Sequence, residues 1–160
     1  MKLLRANKGG FVFHIGTREH QLLVETLKLY PLVPAAHHRV GKPSQLPNAD
    51  ETQRLLDEAL AEQRSENRAQ VLALFNDSEH FRKTDTGFDL TLTPPQVEWL
   101  LQVLNDVRVG SWLALGEPEQ GEEPEVNENN MQHLLALEVC GMYQSVLLAA
   151  LGVEQMPHWH

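Results

Sequence analysis

A chain of 160 residues, 42% hydrophobic and 22% charged, has the size and composition of one globular domain, large enough to bury about two-thirds of its unfolded surface. Its formal charge of −9 and pI near 5.3 argue against nucleic acid as the main partner, because phosphate binding rests on clustered Lys and Arg. The single Cys140 excludes an intramolecular disulfide and points to a reducing, cytoplasmic compartment.

The charge is unevenly spread: residues 1–47 carry a net of +5 and residues 48–160 carry −14. Met1-Lys2-Leu3-Leu4-Arg5 lacks the apolar run of a signal peptide. The most apolar run, Leu134 to Leu151, contains Glu138, Gln144 and Ser145. It reads as a buried helix rather than a membrane span.

In chain order, Phe11-Val12-Phe13-His14-Ile15 reads as a short strand from its aromatic and β-branched content. Thr17 opens a helix to about Tyr30, with Leu23, Leu27 and Tyr30 on one face, and Pro31 closes it. Residues 31–47 hold four prolines, Gly41, His37-His38-Arg39 and Lys42, an irregular basic connection. Asn48 or Asp50 caps a second long helix, and the polar segment Glu62 to Arg68 leaves open one continuous helix or two bent near Ser65. Phe81 to Leu92 reads as strand, glycine turn and strand, to be joined by 11–15 in a three-stranded sheet.

Thr93-Pro94 then starts a helix that Gly116 stops, because a threonine hydroxyl caps, proline suits the first turn and glycine suits the exit. Its apolar positions are Val97, Leu100, Leu101, Leu104, Val107 and Leu115, and at about 100° per residue Arg108 falls in the middle of that arc. Residues 117–128 are rich in glutamate and read as a flexible acidic loop. A last helix runs from about Asn127–Asn130 to Leu151, with an apolar arc of Met131, Leu134, Leu135, Met142, Ser145, Val146 and Ala149 that includes Glu138.

A guanidinium and a carboxylate on two buried faces satisfy one another, so an Arg108–Glu138 ion pair is expected between the last two helices. With Asn105 and Asp106 it forms the candidate polar constellation, either a structural pair or an anion or substrate clamp. Histidines 37, 38, 133, 158 and 160 lack metal-ligand spacing. No catalytic motif, nucleotide loop or cofactor fingerprint is present in the sequence, so no catalytic, metal or cofactor residues are expected. Trp99 and Trp112 flank the apolar arc and are the candidate interface residues.

Leu104-Asn105-Asp106-Val107-Arg108 with Gly116 downstream, entered through Leu90-Thr91-Leu92-Thr93-Pro94, resembles a bacterial family known as domain of unknown function two-thousand-seventeen. Leu137-Glu138, Gln144, Leu147 and Leu151 are similar to that family at like offsets in the last helix. The resemblance implies a mostly helical cytoplasmic protein. Such genes lie near that of the Clp protease adaptor in some bacteria, which implies a bias toward an adaptor-like role.

The expected fold is mainly α: one domain over 1–160, four or five helices around the 94–115 and 129–151 pair, with a small antiparallel sheet or hairpin. The expected function is a non-enzymatic protein-binding or regulatory module, its partner another protein or a second copy of the chain, with no membrane. The alternative is a small-ligand or anion-binding protein or enzyme with a polar pocket around Arg108 and Glu138. A third reading is a nucleic-acid-associated regulator working through the basic first third.

Overall fold

The computed structural model describes residues 1–7, 9–33, 49–77, 79–119, 121–122 and 125–155. Strands β1 (Lys2–Asn7) and β2 (Gly10–Gly16) lead into helix α1 (Thr17–Leu27). Helix α2 (Ala49–Asn76), strands β3 (Phe81–Thr84) and β4 (Gly87–Leu92), and helices α3 (Pro94–Ala114) and α4 (Met131–Gln155) follow. The strands form one antiparallel sheet in the order β1-β2-β4-β3.

The protein is therefore mixed α/β, which corrects the expectation of a mainly helical bundle with a small hairpin. The overlooked piece is β1. Lys-Leu-Leu-Arg-Ala-Asn is an exposed edge strand in which only Leu3 is half-buried, so it has no alternating pattern for a sequence to display. Pairing with β2 along Leu3↔Phe13 and Ala6↔Phe11 makes it a strand. With it, the sheet has four strands rather than three.

The sheet presents one apolar face. Cross-strand pairs Phe11↔Leu92, Phe13↔Leu90 and Ile15↔Phe88 put six large side chains on the same side, because side chains two apart share a face. Five of the six are fully buried in a core shared with Leu23 and Leu27 of α1, Leu100 and Leu104 of α3, and Leu147 of α4. The other face carries His14, Asp89 and Thr91.

Helix α3 sits at the centre of the helical layer. Thr93 Oγ1 accepts from Gln96 N–H at 3.3 Å and Gln96 Oε1 accepts from Thr93 N–H at 2.8 Å, a capping box closed by Pro94 in the first turn. Gly116, at φ 86°, ends the exit turn, where its N–H donates to Leu113 O. Helix α2 is one continuous helix with no break near Ser65.

Helix α4 lies against α3 with Ala136, Val139, Cys140, Tyr143, Gln144, Leu147 and Ala150 buried. The arc expected to face the core, Met131 to Ala149 with Glu138, instead faces outward: Glu138, Ser145 and Ala149 are exposed. The helix is apolar nearly all round, so the 3.6-residue period does not choose a side. The face packed inward carries Ala136, Val139, Cys140, Tyr143, Leu147 and Ala150, and Met131, Leu135, Met142 and Leu148 are left outside. Within α4, Met131–Gly152 has mean hydropathy 1.8 and is long and apolar enough to cross a membrane; 39% of it is buried inside the molecule.

Candidate functional site

Asp106 is the hub of a polar junction between α2, α3 and the segment after α1. One of its oxygens, Oδ1, accepts from the backbone N–H of Leu32 at 2.7 Å and of Val33 at 3.3 Å. The other, Oδ2, lies 3.7 Å from Arg64 of α2. The Arg64 guanidinium also donates to Val33 O. One turn along α2, buried Asn67 donates to Tyr30 Oη at 3.0 Å and accepts from Trp99 Nε1 at 3.1 Å and Gln63 Nε2 at 3.0 Å. Two polar side chains of a mostly exposed helix thus tie it to the chain end of α1 and to α3.

A cavity of about 250 Å³ opens beside these groups, with Asn105, Asp106 and Gln102 in its wall. It is smaller than the roughly 300 Å³ at which small-molecule sites begin. Its charged groups are already spent on backbone amides, a backbone carbonyl and each other. This arrangement latches three elements together. Among the described residues it offers no unengaged nucleophile or base.

Arg108 takes no part in this junction. It is exposed and donates from Nη1 to Gln144 Oε1 at 3.0 Å, on the other side of α3. It forms no ion pair with Glu138, which is exposed on the outward side of α4. The expected constellation is therefore split: Asn105 and Asp106 face α2, Arg108 meets Gln144, and Glu138 stands apart. The reason is rotational. The buried face of α3 is set by Val97, Leu100, Val103, Leu104, Val107, Gly110 and Ser111. Their mean direction lies about 85° from Arg108 at 100° per residue. Counting Leu101 and Leu115 and omitting Val103 had turned the arc toward the arginine.

Trp99 is half-buried against the core, its N–H held by Asn67, so it is an anchor rather than a free interface group. Trp112 is 39% exposed, and its Nε1 donates to Pro118 O at 3.0 Å, pinning the start of the acidic loop to α3. Burial pushes the Cys140 thiol up to about 12, against the opposing pull of the Arg108 charge. Such a thiol stays protonated and unreactive. His133 is half-buried, and its buried Nδ1 has no hydrogen-bond partner among the described residues. Among the described residues no group of three or more His, Cys, Asp or Glu could hold a metal ion. The basic run at 37–42, His158, Trp159 and His160 lie outside the described residues.

Two features escaped the sequence reading. On the polar face of the sheet, Thr86 Oγ1 lies 3.1 Å from His14 Nε2, and His14 Nδ1 lies 3.0 Å from Asp89 Oδ1. The order is that of a hydroxyl, base and orienting carboxylate. But Thr86 stands on an exposed turn and the other two are only half-buried, so water is not excluded from the hydroxyl. Only the register of β2 with β4 brings them together.

The second feature is the outward face of α4. Met131, Leu135, Met142 and Leu148 are 55%, 46%, 56% and 58% exposed. Met131, Leu135, Glu138, Met142, Ser145 and Ala149 follow one another at alternating steps of four and three, which places them within an arc of about 80° and along about 27 Å of helix. The stripe continues onto α1 through a cavity of about 410 Å³ between the two helices, walled by Leu22, Leu29, Met131 and Leu135. Scattered exposed leucines are normal on protein surfaces, but Met131, Leu135 and Met142 stand in one line. The spacing was visible in the sequence. Its outward direction was not.

No family model, curated protein or solved structure matches the chain.

Proposed function

We propose that this protein is a non-enzymatic protein-binding module of the cytoplasm, regulatory or adaptor-like in role, and that the outward face of α4 with the adjoining α1 groove is its docking surface. The observation that carries this reading is the exposure of three large apolar side chains, Met131, Leu135 and Met142, along one line of a long apolar helix. Covering the apolar side chains of this stripe removes them from water at roughly 25 cal/mol per Å², and a partner helix is a common way to do so. The resemblance to the domain-of-unknown-function family, with its adaptor neighbourhood, leans the same way. A ligand clamp of Arg108 with Glu138 has no geometric support, because the two side chains do not pair.

The test is co-purification of the tagged protein from its own host's extract at low and moderate salt, beside a Leu135→Asp variant. Leu135 is exposed, so the variant should fold. A protein retained at stoichiometric level by the parent and lost from the variant is the expected result. Retention that ignores Leu135→Asp would remove α4 as the docking surface, and no retained protein at either salt would count against the module itself.

A further inference from the structure

The α4–α1 surface has a charge as well as a shape. Glu25 and Glu128 stand in the wall of the groove, and among the described residues no Lys or Arg does. Glu138 lies inside the apolar stripe itself. Glu25 pairs with Lys28 at 3.1 Å, an exposed contact of small worth. Glu128 and Glu138 have no ion-pair partner among the described residues. In sequence, Glu128 is also the last of the acidic residues between 117 and the start of α4. An apolar stripe with unpaired glutamates in and beside it is half of an amphipathic match.

From this geometry we propose that the occupant is a basic amphipathic helix of another protein, laid along α4 with its leucine-type residues on the stripe and its Lys or Arg against Glu25, Glu128 and Glu138. It rests on the docking reading given above and names the chemistry of the partner. The alternation of four and three along the stripe is the spacing at which two helices interlock side chains. Among the described residues nothing comes within 4 Å of a Cβ built at Gly141 beside the stripe, leaving room for a partner's side chain. A second copy of this chain is a poorer occupant, because it would bring the same glutamates face to face on chains of charge −9. An anionic lipid surface is disfavoured by the same repulsion.

The probe is a synthetic peptide of about 18 residues, matched to the ~27 Å stripe, with leucines at helical spacing and lysines elsewhere. It is compared with a Leu/Glu peptide of the same pattern and a scrambled Leu/Lys peptide, by fluorescence anisotropy at moderate salt. The expected result is one-to-one binding of the patterned Leu/Lys peptide, about tenfold or more tighter than either control. Leu135→Asp and, separately, Met142→Asp should each remove it, and Glu128→Lys with Glu138→Lys should transfer preference to the Leu/Glu peptide. Equal binding of the Leu/Glu peptide would overturn the charge assignment, and equal binding of the scrambled peptide would reduce the effect to bulk electrostatics. Self-association abolished by Leu135→Asp would make a second copy the occupant, and uptake by anionic vesicles would make it a membrane. An extract partner that depends on Leu135 but docks through an acidic or uncharged segment would leave the module standing and sink this inference alone.

Discussion

At Asp106 a single carboxylate accepts from two consecutive backbone amides, Leu32 and Val33, while its other oxygen faces Arg64. These amides have left helix α1, and a half-buried N–H without an acceptor costs more than its bond contributes when made. Asp106→Ala removes both acceptors and the charge together, and should lower unfolding free energy by about 2–3 kcal/mol. Asp106→Asn keeps an acceptor oxygen for the two amides and gives up only the attraction to Arg64, about 1 kcal/mol for a part-exposed pair at 3.7 Å. Urea midpoints of the two variants separate the contributions. Equal losses would mean that the ion pair, not the backbone latch, holds the segment. None of this was legible beforehand. Asp106 projects away from the apolar arc as an ordinary surface residue would, and its partners lie 73 and 74 residues away.

Helices α3 and α4 each carry a glycine in mid-helix, and the two do opposite things. At Gly110 an added Cβ would meet Leu32 Cγ at 2.6 Å, Leu32 Cβ at 2.7 Å and the Leu32 carbonyl carbon at 2.9 Å. The backbone after α1 therefore runs too close to α3 for any side chain. At Gly141 an added Cβ meets nothing within 4 Å among the described residues. Gly110→Ala should destabilise by about 1–3 kcal/mol through overpacking, whereas Gly141→Ala should stabilise by about 1 kcal/mol through helix propensity. Thermal melts of the two variants should move in opposite directions; movement in the same direction would contradict the placement of one of the helices. The same contrast shows what a sequence displays and what it conceals. The start and stop of α3 were readable because Thr93, Pro94 and Gly116 act on their own backbone. Which side of α4 faces inward was not, because both sides are apolar and the helical period does not choose between them. Arg108 was misplaced for a related reason: a few leucines on the flank shifted the apparent centre of a broad arc.

On the scale of the whole molecule, an antiparallel sheet supports α1, α3 and α4 on one face, and α2 is attached to that layer chiefly by Arg64, Asn67, Val71 and Leu74. The core is closed without α4's outer stripe, which is why a row of Met and Leu can stand in water on an acidic protein. Exposure of that stripe in the isolated chain, and its cover in the cell, is the claim on which the functional account rests. The most direct measurement is hydroxyl-radical footprinting, read by mass spectrometry at Met131 and Met142, on the purified protein and inside living host cells. Buried Tyr143, 3% exposed, serves as the internal reference. The account predicts strong oxidation of both methionines relative to Tyr143 in the purified chain and marked protection of both in the cell. Equal oxidation in the two settings would contradict it, and would leave the stripe an uncovered surface without a partner.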